Sequence, residues 1–360
     1  MLFKLLYGLH THHSAFNVFR YITFRAGLAV VTSFLIVVVL GPWLINRLKR
    51  MSIGEVIRSD GPEQHKAKAG TPTMGGVLIL AAMLVTTWLW ADLKNIYIWT
   101  VSLLCLGFGM IGLVDDISKL KSQGKSRKGM RGKLKLLLQI AIGLGVLLLM
   151  VRLNGYDFRL WVPFFKKVHP LIGLWYIPFA LLVVVAASNA VNLTDGLDGL
   201  AIVPAVVVAA TYTVFAYISG RVDYTQYLIL PYVRGSSELC IFTGSMVGAG
   251  MGFLWFNSYP ASVFMGDVGS LSLGSGIGAV AVITKQELAL LIVGGLFVVE
   301  ALSVILQVGF FKWKKQRIFL MAPIHHHFEK KGWPEPKVIV RFWIVQIILA
   351  LFALSTIKLR

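Results

Sequence analysis

Long uncharged stretches alternate with short polar ones from residue 22 to the C-terminus. Ten stretches are apolar over enough residues to approach the roughly 30 Å hydrocarbon layer of a bilayer as helices. They run at about 22–45, 75–91, 97–114, 134–151, 171–188, 200–218, 237–256, 268–284, 288–310 and 338–357. Several are short for a perpendicular crossing, and Pro178 and Pro204 are expected to bend their helices, which neighbours tolerate in a membrane. The pattern predicts an all-α polytopic membrane protein of about ten transmembrane helices, a single integral membrane domain over 1–360. The first 21 residues lack an apolar core followed by a small-residue cleavage site, so no cleaved signal peptide is expected. His10, His12 and His13 fit an interfacial segment.

An even number of crossings puts both termini on one side. The loops 46–74, 115–133, 189–199, 257–267 and 311–337 then share the other side. With their flanks they carry nearly twice as many Lys and Arg as the remaining loops and termini together. Cationic loops stay in the cytoplasm, which predicts cytoplasmic placement of these five loops, periplasmic termini, and a cleft on the cytoplasmic face. The chain has 57% hydrophobic and only 14% charged residues, too greasy for a water-facing globule, and the membrane class follows from composition as well as pattern. Its net charge of +19 would point to nucleic acid in a soluble protein. Here the cations sort to one membrane face, so anionic lipid and anionic substrate are the expected partners and nucleic acid is not. Cys105 and Cys240, both in apolar stretches, make neither a disulfide framework nor a zinc site.

The same five loops hold the unusual polar residues. In "GLVDDISK", Asp115 and Asp116 close an apolar stretch, where the negative end of a helix dipole disfavours them. A divalent cation, a Lys from the basic segment that follows, or a protonation role would each account for two acids there. In "NAVNLTDGLDGLA", Asn189, Asn192, Asp195 and Asp198 recur every three residues, one face if helical, where a cap would need only one of them. Asp267 lies between glycines in "VFMGDVGS", as an N-cap or as an accessible oxygen ligand for a hard cation. His325, His326 and His327 are consecutive, so all three cannot face one metal on a helix or a strand. They suit hydrogen bonding or proton transfer beside an anionic ligand. Neither GxxxxGK[ST] nor GxGxxG occurs, which argues against a P-loop or a Rossmann cofactor. Carboxylates, amides, histidines and lysines at one membrane face suit a phosphate-rich substrate with Mg²⁺ and a lipid co-reactant. A transporter would instead place its charges near the bilayer midplane, in broken and repeated spans.

The motifs "GTPTMGG", "VDD", "NAVNLTDGLDGLA", "FLWFNSYPASVFMGDVGSL" and "MAPIHHHFEKKGWPEPKVIVRFW" jointly resemble the polyprenyl-phosphate N-acetylhexosamine-1-phosphate transferase superfamily. The "PIHHHFE" form resembles its phospho-N-acetylmuramoyl-pentapeptide-transferase branch, and the likeness runs from about residue 16 to the end. The resemblance implies ten spans and transfer of phospho-MurNAc-pentapeptide from UDP-MurNAc-pentapeptide to undecaprenyl phosphate. The products would be lipid I and UMP, in the first membrane step of peptidoglycan synthesis, with Mg²⁺ as cofactor and a homodimer as the assembly. It implies catalytic roles for Asp115, Asp116, Asp267 and His326, with Asp267 on Mg²⁺. Substrate contacts would fall to Lys68, Thr73, Lys133, Asn189, Asn192, Asp195, Gly196, Leu197, Asp198, Asn257, Phe264, Gln307, His325 and His327. A superfamily relative that uses UDP-GlcNAc is the alternative within this class.

Overall fold

The computed structural model describes residues 2–51, 70–121, 129–165 and 168–358. In chain order its α-helices are α1 (Leu2–Gly8), α2 (Ile22–Arg50), α3 (Gly76–Trp90), α4 (Ile96–Lys121), α5 (Gly132–Asn154), α6 (Tyr176–Thr194) and α7 (Ile202–Ser219). There follow α8 (Val222–Leu228), α9 (Leu239–Asn257), α10 (Gly266–Ile283), α11 (Leu290–Val293), α12 (Gly295–Lys314), α13 (Ile324–Lys330) and α14 (Glu335–Ser355). Among the described residues no strand forms, and nine helices are long and apolar enough to cross a membrane. The tenth apolar helix, α3, has 15 residues. At 1.5 Å per residue it reaches about 23 Å, less than the hydrocarbon thickness.

Several boundaries differ from the pattern-based ones, and two of the differences move polar residues onto a helix. α4 continues past the acids to Lys121, so Asp115 and Asp116 lie within the helix rather than at its end. α6 runs to Thr194, which puts Asn189 and Asn192 on the helix but leaves Asp195 as its C-cap and Asp198 in the turn beyond. The expected helical face of four is therefore only half realised. The stretch 288–310 breaks at Gly294 into α11 and α12. Pro178 and Pro204 fall in the first turns of α6 and α7, where no intrahelical donor is lost, so they start helices and do not bend them.

The bundle is organised around α10. All its residues from Val268 to Ile283 are buried, and most are Gly, Ala, Ser or Val. It packs chiefly on α4 and α6, with α3 and α7 also against it. Small side chains let helices approach closely where lipid supplies no hydrophobic drive for association. Two glycines make the approach close: a side chain at Gly76 of α3 would run into the Gly269 backbone, and one at Gly112 of α4 into the Asp267 carbonyl. On the outside, α2, α5, α12 and α14 expose Leu35, Val39, Leu137, Leu148, Ile305, Leu306, Ile348 and Leu351, as lipid-facing helices do.

The two ends of the bundle are chemically different. At one end Arg25 pairs with Glu238 at 2.6 Å, while the Asp92 backbone N–H donates to the same carboxylate at 3.0 Å. Beyond the C-terminus of α10, Lys285 donates to the Asp157 carbonyl and Tyr176 to Glu287. α1 belongs to this end, pairing there through Lys4 and Asp92 at 2.6 Å, and α14 begins at the other. The other end gathers the motif-bearing segments.

Candidate active site

Three carboxylates and two ammonium groups converge where α4 ends, α5 begins and α10 begins. Lys119 lies one turn beyond the acids, and its Nζ is 3.0 Å from Asp115 Oδ2, 3.4 Å from Asp116 Oδ1 and 3.0 Å from Asp267 Oδ2. Lys135, in the first turn of α5, is 2.5 Å from Asp267 Oδ2 and 3.3 Å from Asp115 Oδ2. Three acids against two lysines leave one negative charge over, in a cluster whose acids are buried or nearly so. Asn192 of α6 completes the ring, donating to Asp267 Oδ1 at 2.9 Å and to Ser270 at 2.8 Å.

The two adjacent acids do different work. Asp116 Oδ2 accepts the backbone N–H groups of Asp267 at 3.0 Å and Val268 at 3.4 Å. It caps α10 from another helix, satisfying donors that have no partner inside α10 and meeting the positive end of its dipole. Asp115 Oδ1 accepts the Met130 N–H at 2.6 Å, and its other oxygen faces the lysines.

Backbone and side-chain bonds then lace the remaining segments to this cluster. Phe264 N–H donates to the Pro72 carbonyl at 2.8 Å, and Gly75 N–H to the Phe264 carbonyl at 2.9 Å, so the Thr73 segment lies along the segment leading into α10. Asp198 accepts the Ala261 N–H at 2.9 Å, and its own N–H donates to Glu335 at 3.2 Å. Asn257 accepts the Gly199 N–H at 3.1 Å and donates to the Val263 carbonyl at 2.8 Å. His325 is fully buried, with Nδ1 3.1 Å from Glu300 of α12, a carboxylate inside an apolar span. Its Nε2 faces Gly196, where a methyl group would be 2.4 Å away. His326 Nδ1 is 2.7 Å from Glu329. His327 accepts the Leu320 N–H at 3.1 Å, and burial together with the nearby Lys331 lowers its pKa. Gln307 accepts the Ile318 and Phe319 N–H groups at 3.1 and 2.9 Å. All five motif-bearing segments thus meet at one end of the bundle.

A model of glycosyl transferase family 4 matches residues 98–285, which include the three acids, and signature 1 of the phospho-N-acetylmuramoyl-pentapeptide-transferases matches residues 68–80. The chain is 56% identical over 360 residues to the phospho-N-acetylmuramoyl-pentapeptide-transferase of Citrifermentans bemidjiense. It is 57% identical over 360 residues to that of Pelobacter propionicus and 58% over 361 to that of Desulfotalea psychrophila. Each comparison covers all of both chains. The chain belongs to the phospho-N-acetylmuramoyl-pentapeptide-transferase family.

Within that family's signature, Lys68 lies outside the described residues. Asp115, Asp116, Asn192 and Asp267 form one hydrogen-bonded cluster. Asn189 donates to Gln139 of α5 at 2.8 Å, one turn further into the bundle. Lys133 is exposed at the start of α5. Asp195 and Phe264 are half-buried and Gly196 is exposed, whereas Leu197 is packed with Leu200, Leu296, Val338, Ile339 and Phe342. Asp198, Asn257 and Gln307 each fasten loop backbone to their own surroundings.

Four groups escaped the sequence reading as site residues. Lys119 carried a signal, since it stands three and four residues beyond the acids, the spacing of a helical ion pair. Lys135 was one of many basic residues. Glu300 was detectable as a lone carboxylate within an apolar stretch. Glu335 had no signal, because its contact with Asp198 spans 137 positions of chain.

Proposed function

We propose that this enzyme transfers phospho-MurNAc-pentapeptide from UDP-MurNAc-pentapeptide to undecaprenyl phosphate, giving lipid I and UMP, at the cytoplasmic face of the bacterial inner membrane. The observation that carries the reading is the acid–lysine cluster at the end of the bundle where the family's motifs meet. A lipid phosphate at the bilayer surface and a soluble nucleotide sugar can both reach such an end. The excess of Lys and Arg on the same loops supports its cytoplasmic placement, with periplasmic termini. Family likeness supports a homodimer.

The donor set fits Mg²⁺. Three carboxylates offer hard oxygen ligands, and among the described residues no three His, Cys, Asp or Glu side chains form a ready-made metal cage. That suits a cation which takes one or two carboxylates and fills its shell with water and substrate phosphate. Asp267 would hold it, with Asn192 fixing that carboxylate from α6. Mg²⁺ bound there would offset charge on the donor diphosphate.

The chain's own residues suit direct attack. The second pKa of a phosphate monoester is about 6, so the lipid phosphate is already largely a dianion at neutral pH. Its oxygen forms a bond to the donor β-phosphorus as the bond to the bridging oxygen breaks, and UMP leaves with that oxygen. Asp115, free of the capping role of Asp116, accepts any remaining proton, while Lys119 and Lys135 orient the phosphates. A covalent aspartyl phosphate would add a step with little gain.

The test is purified enzyme given UDP-MurNAc-pentapeptide or UDP-GlcNAc side by side, with undecaprenyl phosphate and Mg²⁺. Release of UMP and formation of lipid I with the first donor only is expected. Turnover of UDP-GlcNAc alone would assign the chain to another branch of the superfamily, and transport without UMP release would make it no transferase. Labelled UMP entering the donor before any lipid is added would replace direct attack with a covalent step.

A further inference from the structure

Asp267 is engaged on both carboxylate oxygens. Asn192 donates to Oδ1, while Lys135 and Lys119 stand 2.5 and 3.0 Å from Oδ2. The same two ammonium groups share Asp115 Oδ2 at 3.3 and 3.0 Å. Mg²⁺ requires a carboxylate oxygen at about 2.0–2.1 Å and brings its own rigid shell of waters. An ammonium nitrogen against Oδ2 occupies the space this shell needs and repels the cation. The cation therefore reaches Asp267 only as a lysine leaves it. Both lysines can leave: each carries its charge on a flexible four-carbon stem, they come from different helices, and the Lys119 side chain is 39% exposed. The ammonium groups must be received elsewhere, and a diphosphate is the group entering this site that offers several anionic oxygens.

We propose that Lys135, together with Lys119, is a place-holder for the metal, holding Asp267 and Asp115 and passing to the donor diphosphate when the cation takes Asp267. The inference rests on the reading of Asp267 as the metal ligand. The two lysines are positioning residues in this role. They couple metal and nucleotide binding, so each ligand strengthens the other by the same factor, as linkage requires. Their ammonium groups also tie the three carboxylates together, which holds the N-terminus of α10 in place through Asp116.

The experiment titrates full-length purified protein with Mn²⁺, read by electron paramagnetic resonance, with and without UDP as the diphosphate probe. Lys135→Gln is expected to tighten Mn²⁺ binding without nucleotide by on the order of tenfold, the scale of changing an outer-shell partner of a metal ligand. UDP affinity should fall, and UDP should strengthen Mn²⁺ binding less than in the wild type. Lys119→Gln, made separately in case one variant does not fold, should move all three quantities in the same direction. Arg131→Gln removes equal charge from an exposed neighbour and should leave Mn²⁺ affinity unchanged. If both lysine variants bind Mn²⁺ no more tightly than the wild type while Asp267→Asn loses it, the exchange is overturned and the metal ligand stands. If Arg131→Gln tightens binding as much as they do, net charge explains the effect and the exchange is again overturned. Wild-type Mn²⁺ binding in Asp267→Asn would instead overturn the metal-ligand reading beneath it.

Discussion

Asp267 is where a single atom-for-atom change separates charge from shape. Asp267→Asn keeps the size of the side chain and an acceptor for Asn192 but removes the negative charge that faces Lys119 and Lys135. Turnover is expected to fall by more than the roughly 10–100-fold typical of an outer-shell change at a metal site, in protein that inserts and purifies normally. Near-normal UMP release with unchanged Mg²⁺ dependence would reduce Asp267 to an ion-pair partner of Lys119 and Lys135, since it makes no capping bond to α10. The histidines call for a different test. The His325 and His326 rings stand 4.1 Å apart, but each Nδ1 is engaged by its own carboxylate, Glu300 for His325 and Glu329 for His326. His326→Ala is expected to weaken turnover or nucleotide affinity with no zinc in the purified protein. Stoichiometric zinc by elemental analysis would contradict that.

At the scale of the element, α10 depends on a carboxylate from another helix. Asp116→Ala removes the acceptor for two N-terminal donors of α10. Loss of a cap costs about 1–2 kcal/mol, so the unfolding midpoint in detergent should drop, and an unchanged midpoint would show that α10 needs no such cap. The segment between α10 and α11 titrates. Burial pushes Glu287 from its ordinary 4.5 up to about 7, with Tyr176 and Lys285 opposing that shift. Between those values the folded protein keeps a proton that the unfolded chain has released, so this group's contribution to stability is full below pH 4.5 and lost as pH rises through 7. Burial pushes Lys285 down to about 8, and it acts in the opposite sense only above that pH. Glu287→Gln should therefore flatten the fall in unfolding midpoint between pH 5 and 7.5. A wild-type midpoint that is level or rising over that range, or an identical slope in the variant, would rule the effect out.

Across the whole molecule, the alternation of helices and the gathering of five loops at one end are linked. Reporters fused after residues 125 and 325 are expected to read cytoplasm, and one after residue 360 to read periplasm. A cytoplasmic C-terminus would break the parity of ten crossings and move the acid cluster to the other side of the membrane. The short helix α3 is the crossing most exposed to that test, at 15 residues. Its N-terminus is tied to the segment before α10, since Gly76 N–H donates to the Met265 carbonyl at 2.8 Å, which anchors it at the site end whatever its length.

The membrane class, the order of the apolar helices, and the segments that carry the chemistry were legible in the sequence alone, because a bilayer forces apolar runs of helix length. The motifs were equally local: Asp115 with Asp116, Asn192, Asp267 and the histidines stand out in any window of a few residues. Tertiary structure decided what those residues do. Asp116 and Asp267 are 151 positions apart, and only the packing of α4 on α10, made close by Gly112, turns one acid into a cap and leaves the other facing two lysines. Lys135 looks like any other basic residue of its loop until α5 brings it to 2.5 Å from Asp267. Glu300 and His325 meet across a chain separation of 25, and the contact between Asp198 and Glu335 spans 137. Hydrophobic pattern is a property of neighbours in the chain, whereas charge pairing is a property of neighbours in space. The second can be read only after the helices have packed.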